Sequence, residues 1–509
     1  MNECDLNYNL KGVIEMGAAR RLENYKGGAG KQDQKPAKVS KSKEVNFLSL
    51  FITVAVGAII WFIGAPAGLD EKAWHLFAIF VATIVGLIIK PMPMGGVAIL
   101  SITAVVLTGT LELQDALSGF QNTTIWLIVI AFFISRGFIK TGLGNRVAYM
   151  FVKKFGKKTL GLSYSLLVSD LLLSPAMPSN TARGGGIIFP IIRSLSQTFG
   201  SDPKDGTEKK IGSFLTKTAF QGNMITSAMF MTAMAANPLA ATIAGDAGVN
   251  ITWTGWAIAA LVPGLVSLLV IPYFIYKVYP PEIKETPAAA EMATQKLKEM
   301  GPLKKSEWSM ISVFLLILGL WIFGEKIAIS ATTTALIGLS VLLLTSVLSW
   351  NDIKKEEGAW DTLVWFAALV MMASFLNTLG MIPWFSDLMG GTVSGMSWVW
   401  ALGALALIYF YSHYFFASST AHVSAMYAAF LAVAIAAGAP PMLTALILGF
   451  FGNLFGCITH YGSGPAPVFF GSGYVTQNKW WSIGFAISII HILIWGLVGG
   501  IWWKVLGLW

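Results

Sequence analysis

Long apolar runs recur along almost the whole chain and constrain its fold more than any other feature. Of the 509 residues, 55% are hydrophobic and only 12% are charged, whereas soluble domains are about 25% charged. A membrane-spanning helix needs roughly 20 apolar residues, and we count about eleven such segments plus two shorter re-entrant hairpin candidates. The sequence therefore predicts an all-α polytopic membrane protein.

The apolar spans form two series on either side of a charged connector at 280–306. The first series is predicted at 46–66, 73–90, 95–111, 123–142, a hairpin at 161–195, 211–245 and 252–276. The second is predicted at 308–324, 331–349, 360–383, a hairpin at 400–437, 442–472 and 480–505.

The two hairpins occupy related positions in these series. Ser179 and Ser418 are 239 residues apart, and so are Thr181 and Thr420. One constant offset over many residues indicates a duplicated unit. Because each unit contains an odd number of spans, we expect the two copies to be inverted in the membrane.

The basic residues are distributed as a membrane topology requires. The loop over 140–158 carries six Lys and Arg residues and no acid, and the net charge of the chain is +9. Cytoplasmic loops carry the excess of Lys and Arg. We therefore expect a cytoplasmic N-terminus, an outside C-terminus after eleven spans, and no nucleic-acid partner for the positive charge.

Each hairpin tip carries a Ser-x-Thr motif where a helix is predicted to break. In the first tip, Pro175 and Pro178 interrupt the descending helix, and Ser179 or Thr181 can cap the returning one. Non-helical backbone at membrane depth is tolerated only where protein or a water-filled cavity satisfies it. The motifs therefore predict substrate contacts from the tip residues Ser179, Asn180, Thr181, Ser418, Ser419 and Thr420.

The span after each hairpin has a break of its own. The first break contains Asn237-Pro238 and the second contains Ser463-Gly464-Pro465. Discontinuous helices in corresponding positions of two halves are the best sequence indication of a transporter's binding site. We therefore add these five residues to the predicted substrate site, and we expect neither a metal nor a cofactor there.

These motifs resemble the divalent anion/sodium symporter family, over the chain from about residue 46 to the C-terminus. The nearest similarity is to its bacterial citrate/succinate, tartrate/succinate and 2-oxoglutarate/malate exchangers, in Pro178–Arg183 and Tyr461–Pro465. This chain departs from the paired Ser-Asn-Thr pattern at Ser419, where the family usually has Asn. The resemblance implies a homodimer, an elevator motion and Ser-Asn-Thr contacts to substrate carboxylates.

The resemblance also divides the chain into functional regions. We expect the connector to be amphipathic, the tail to be disordered and cytoplasmic, and each repeat to contain a scaffold part and a transport part. The predicted regions are 1–45 (tail), 46–158 and 307–396 (scaffold), 159–279 and 397–509 (transport), and 280–306 (connector).

Two cationic candidates follow the tips directly. Arg183 and His422 are also 239 residues apart, and cationic side chains at membrane depth are costly and usually functional. In sodium-coupled relatives a cation sits beside each tip, so we interpret Arg183 and His422 as built-in substitutes for it. Asp170 either holds Arg183 or lies near the cytoplasmic headgroups.

We therefore predict a secondary transporter of the bacterial cytoplasmic membrane, not an enzyme. It would exchange di- or tricarboxylates such as malate, succinate, fumarate, 2-oxoglutarate or citrate, against a counter-substrate and without sodium. Sodium-coupled dicarboxylate symport is the alternative. A channel, or a hydrolase in which His422 activates Ser418 or Ser419, is a further rival from another functional class.

Overall fold

A computed structural model of the chain describes residues 45–393 and 396–509. The tail predicted over 1–45 lies outside this part, except for its last residue. All named secondary-structure elements in the described part are helical, and eight helices there are long and apolar enough to cross a membrane. Four shorter apolar helices accompany them. The predicted all-α polytopic fold is confirmed.

We number the described helices of ten residues or more in chain order. In the first half they are α1 (Phe47–Ile63), α2 (Glu71–Ile89), α3 (Met94–Leu107), α4 (Thr123–Thr141), α5 (Leu143–Phe155), α6 (Thr159–Leu173), α7 (Phe189–Thr198), α8 (Gly212–Met229), α9 (Ala236–Asp246) and α10 (Trp253–Val278). The later ones are α11 (Pro287–Met300), α12 (Lys305–Phe323), α13 (Ala331–Leu344), α14 (Glu357–Thr378), α15 (Met381–Val393), α16 (Trp398–Tyr411), α17 (Ser419–Ala436), α18 (Pro441–Leu454) and α19 (Gln477–Leu493).

The helix order of the first half returns in the second. Helices α6 and α16 begin 239 residues apart, at Thr159 and Trp398, and each ends in a short 3₁₀ turn before a hairpin tip. Helices α5 and α15 precede them in equivalent places. The constant offset predicted from the tips therefore extends to whole helices.

Capping residues decide where the helix before the first hairpin begins and ends. Asn122 caps α4, because its side-chain oxygen accepts the backbone N–H of Thr124 at 2.9 Å. Gly142 ends the helix with φ +75°, a left-handed conformation that glycine adopts without a steric penalty. Helix α5 therefore begins at the next residue, in a new direction.

The connector is attached to the junction between α5 and α6. Its helix α11 begins at Pro287, in the first helical turn that proline tolerates. The extended residues before it make two backbone hydrogen bonds, from Thr159 N to Lys284 O at 2.9 Å and from Thr286 N to Lys157 O at 2.7 Å. The predicted 280–306 connector is thus a short extended strap followed by a helix.

A buried ion pair joins α5 to the start of α12. Arg146 Nε lies 2.5 Å from one carboxylate oxygen of Glu307, and Arg146 also donates to the carbonyl of Gly301 at 2.9 Å. Glu307 is 1% exposed and accepts the backbone N–H of Lys304 at 2.9 Å. Both charges are paired and hydrogen-bonded, as burial requires.

Candidate functional site

The first hairpin tip has the predicted break and cap. Helix α6 ends at Leu173, and a 3₁₀ turn over Ser174–Ala176 follows. Ser179 is the N-cap of the returning helix, because its Oγ accepts the backbone N–H of Ala182 at 3.1 Å. Thr181 lies inside that helix, so its side chain is not used for capping and is available for contacts.

The second tip repeats this geometry. Helix α16 ends at Tyr411, and a 3₁₀ turn over Ser412–Phe415 leads into the tip. Ser418 caps α17, with its Oγ accepting the backbone N–H of Ala421 at 3.3 Å. Two serines at equivalent positions therefore start the two returning helices.

The first tip lies directly against the second break. A Cβ atom added to Gly464 would lie 2.1 Å from Thr181 Oγ1 and 3.9 Å from Asn180 Oδ1, so only glycine allows this approach. The side-chain nitrogen of Asn180 and the hydroxyl of Ser463 are buried and have no hydrogen-bond partner among the described residues. Unpaired buried polar groups are costly, and both of these groups belong to the segments that meet at Gly464.

The second tip reaches the same segment from the other side. Ser419 Oγ donates to the carbonyl oxygen of Gly462 at 3.1 Å. Thr420 follows it at the second position of α17 and is partly buried. The two tips therefore meet at residues 462–464, just before Pro465 and the short helix Ala466–Gly471.

The first break is held by Asn237. Its side-chain nitrogen donates to Ser227 O at 2.8 Å and to Phe230 O at 2.9 Å, which are carbonyls at the end of α8. Its Oδ1 accepts from Asn453 of α18 at 2.5 Å. Asn237 and its neighbour Pro238 are buried, and the Asn237 side chain is bonded within the protein, so it joins the two broken spans to each other.

Arg183 fills a cage of oxygen atoms between the first tip and the first break. Its guanidinium donates to Asp170 Oδ1 at 3.2 Å, to Ala233 O at 2.6 Å and to Ser227 Oγ at 2.9 Å. It also donates to the carbonyl of Met177 in the tip. Arg183 is 0% exposed, so it does not extend to the membrane surface.

Asp170 is the carboxylate of this cage. Its two oxygens accept from the side-chain nitrogen of Asn223 at 3.2 and 3.1 Å, and one of them also accepts from Thr226. With Arg183 as a third partner, the buried carboxylate is fully hydrogen-bonded. Of the two expectations for Asp170, the one in which it holds Arg183 is therefore confirmed.

In the second repeat a pair of histidines occupies the corresponding region. His413 and His422 face each other with their Nδ1 atoms 3.0 Å apart, and His413 Nε2 lies 2.8 Å from the carbonyl oxygen of Gly462. The imidazole of His422 stacks on Phe416 and Phe455, at ring-centre distances of 4.3 and 4.5 Å. His413, which sequence analysis did not identify as a site residue, therefore contacts the second break at Gly462.

The hydrogen-bond partners assign the hydrogen positions of this pair. The carbonyl of Gly462 can only accept, so His413 Nε2 carries a hydrogen. The bare Nδ1 of neutral His413 then accepts from Nδ1–H of His422. The remaining nitrogen of His422 lies 3.2 Å from Ser412 Oγ. In the described part no hydrogen bond joins His422 to Ser418 or Ser419, so the serine-hydrolase arrangement is absent there.

Removal of the tip side chains should weaken substrate binding. We expect Asn180→Ala and Thr181→Ala each to raise the apparent dissociation constant about 10- to 100-fold, because each loses a donor worth about 1–3 kcal/mol. Substrate-induced changes in tryptophan fluorescence of the purified protein would measure this. Thr198→Ala, at an exposed threonine bonded only to its own helix, is the control. Unchanged affinity in both tip variants would exclude these residues from the site.

Comparisons with known proteins agree with this architecture. The family model described as the sodium:sulfate symporter transmembrane region matches residues 44–509. YflS of Bacillus subtilis (strain 168), a candidate malate transporter, is 71% identical over 92% of this chain and 98% of its own. Dicarboxylate transporter 1 of spinach chloroplasts (Spinacia oleracea) is 52% identical, over 93% of this chain and 84% of its own.

A more distant relative and a solved structure extend the comparison. The citrate/succinate antiporter of Escherichia coli (strain K12) is 36% identical, over 91% of this chain and 99% of its own. The crystal structure of the Alcanivorax borkumensis YdaH transporter shares the fold, with a TM-score of 0.52 and 11% identity over 91% of this chain and 98% of that one. These relatives are named as transporters, which confirms the expectation of a transporter rather than an enzyme. The family match covers the described chain, and the protein belongs to the divalent anion/sodium symporter family.

Proposed function

We propose that this protein exchanges di- or tricarboxylates across the bacterial cytoplasmic membrane without sodium. The observation that carries the proposal is the junction at residues 462–464, where the donors of Asn180 and Ser463 are buried and have no partner in the described part of the chain. Carboxylate oxygens accept hydrogen bonds from such donors, and charge-assisted bonds are about twice as strong as neutral ones. Both tips would bind substrate there, through Ser179, Asn180, Thr181, Ser418, Ser419 and Thr420.

The relatives support the substrate class. Their names assign malate to YflS, dicarboxylates to the chloroplast transporter, and citrate and succinate to the Escherichia coli antiporter. All of these substrates are small molecules with two or three carboxylates. The name of the last relative also supports exchange against a counter-substrate.

Built-in donors replace a bound cation in this proposal. Sodium in transporters is often coordinated by carbonyls of unwound helix segments, and Arg183 donates to two such carbonyls, of Met177 and Ala233. In the second repeat His413 donates to Gly462 O. His422, the second residue interpreted as a cation substitute, would act there as a hydrogen-bond donor, with its Nδ1–H donating to His413 at 3.0 Å.

The proposed mechanism includes the architecture expected from the family. The transport parts, 159–279 and 397–509, would move against the scaffold parts in an elevator motion within a homodimer. The two hairpins would be re-entrant, the repeats inverted, the N-terminus cytoplasmic and the C-terminus outside. Large exposed apolar side chains such as Phe47, Phe51 and Phe62 would face membrane lipid.

Sodium-coupled dicarboxylate symport is the second candidate, because the matching family model carries a sodium symporter description. A bound sodium ion needs oxygen ligands that are not already occupied. In the described cage at the first tip, Arg183 occupies the oxygens of Asp170, Ser227, Met177 and Ala233. This favours exchange over symport at that position.

The decisive experiment measures labelled succinate uptake into sealed proteoliposomes. We expect uptake to require internal dicarboxylate and to be unchanged when choline replaces all sodium, because the cage already contains a guanidinium. Uptake that needs sodium, and not internal substrate, would establish symport instead. Unlabelled lactate serves as the control competitor, since a monocarboxylate satisfies only part of the site. Equal inhibition by lactate and malate would refute the proposed substrate class.

A further inference from the structure

One buried lysine is not explained by the substrate site or by the cage. Lys217 lies on α8 and is 0% exposed. Its Nζ donates to the carbonyl oxygen of Trp480 at 2.9 Å and lies 4.3 Å from the centre of the Trp480 ring. The ring of Phe220 is 5.6 Å away. The ammonium group is therefore enclosed between α8 and α19.

Lys217 differs from the other buried ionisable residues of the described chain because it has no partner of opposite charge. The five buried Lys, Arg, Asp and Glu residues among those described are Arg146, Asp170, Arg183, Lys217 and Glu307. Four of them form two ion pairs, Arg146 with Glu307 and Arg183 with Asp170. No carboxylate of the described residues lies within ion-pair distance of Lys217. The positive charge of Arg183 is neutralised locally, whereas that of Lys217 is not.

The surroundings of Lys217 stabilise a cation without cancelling its charge. A carbonyl oxygen and the face of an indole ring both present partial negative charge to an ammonium group. Neither carries a full charge, so the field of Lys217 extends into the protein around it. Inside a protein this field is screened less than at the surface.

A chain of hydrogen bonds connects Lys217 to the substrate junction. Trp480 accepts from Lys217 and donates its indole N–H to Thr459 O at 3.0 Å, at the start of the second break. Thr459 Oγ1 in turn accepts the backbone N–H of Gly462 at 2.9 Å. One turn along α8, Gln221 donates to Cys457 O at 3.0 Å. These bonds fix the ammonium group relative to residues 462–464.

We propose that Lys217 is protonated and selects multivalent anions by its charge, without touching them. The inference rests on the proposed transport of di- and tricarboxylates and assigns their valence selectivity to this residue. A fixed charge attracts a ligand in proportion to the ligand's own charge. The contribution of Lys217 to the logarithm of the affinity is therefore about 1.5 times as large for a trianion as for a dianion.

Lys217→Gln tests this, because glutamine can still donate to Trp480 O but carries no charge. We expect succinate affinity to fall about tenfold and citrate affinity about thirtyfold, measured by tryptophan fluorescence at a pH where all carboxyls are ionised. Lys217→Arg, which keeps the charge, should retain both affinities. A loss by the same factor for both ligands, or no loss, overturns the inference.

A second variant gives this region the same net charge as Lys217→Gln but keeps the lysine. Cys457 lies against α8, because Gln221, one turn along from Lys217, donates to its carbonyl oxygen at 3.0 Å. Cys457→Asp therefore adds a compensating carboxylate next to this helix, and Cys457→Ser is its neutral control. The aspartate variant should show the same valence-dependent loss, and an equal loss for both ligands contradicts the inference. If the wild-type protein binds neither ligand, the proposed function itself fails, which is a distinguishable result.

Discussion

Arg183→Ala is expected to abolish exchange in sodium-free buffer. The change leaves the buried carboxylate of Asp170 without its counter-charge and the carbonyls of Met177 and Ala233 without a donor. Breaking one side of a buried ion pair typically costs about 3–5 kcal/mol. The first tip would then lose the contacts that Arg183 makes with the first break. Labelled succinate exchange in choline buffer would measure the loss.

Sodium distinguishes this role from a purely structural one. If Arg183 occupies the position of a cation, added sodium should restore part of the exchange in Arg183→Ala, while lithium or choline should restore less. Arg193→Ala, at an exposed arginine on α7, is the matched control and should exchange normally. Full activity of Arg183→Ala in choline would refute the cation-substitute interpretation.

The second large effect is expected at Gly464, where an added methyl group should disrupt the junction of the two repeats. The new Cβ would lie 2.1 Å from Thr181 Oγ1, so the Thr181 side chain, or the tip that carries it, must move. We expect Gly464→Ala to reduce exchange at least about 100-fold, since a displacement of about 1 Å at a positioned site has effects of that size. Initial rates of exchange in proteoliposomes would measure it.

Two further variants test the steric explanation. Gly471→Ala is the control, because a Cβ at that glycine meets no neighbour within 4 Å. The double variant Thr181→Ala with Gly464→Ala removes the clashing oxygen and should bind substrate no worse than Thr181→Ala alone. If the losses of substrate affinity caused by the two single changes add up in the double variant, the steric clash does not explain the defect of Gly464→Ala.

Local signals were sufficient to predict the tips. Proline before Ser179 and a serine at the start of each returning helix are readable within a few residues, and both serines cap as predicted. The charged connector was recognised from composition, although α11 occupies only Pro287–Met300 of it. Its first residues instead pair with the α5–α6 junction, which no local pattern indicates.

Long-range contacts account for what sequence reasoning missed. His413 precedes its tip by several residues and resembles an ordinary packing histidine until folding places it against Gly462 O. Asn237 adjoins a proline break, as a substrate ligand would, yet its amide is bonded to Ser227, Phe230 and Asn453. The 239-residue offset could have drawn attention to His413, since the equivalent position, Ser174, lies in the turn before the first tip.

The Arg146–Glu307 pair imposes an order on biosynthesis. The two residues are separated by 161 positions, so at about 5–20 residues per second the arginine is made roughly 8–30 s before its partner. During that interval the guanidinium has no buried carboxylate to receive it, and burying it without this partner costs about 3–5 kcal/mol. Helix α5 therefore reaches its final place only after synthesis of the second half has begun. The two halves of the chain therefore cannot complete their folding independently of each other.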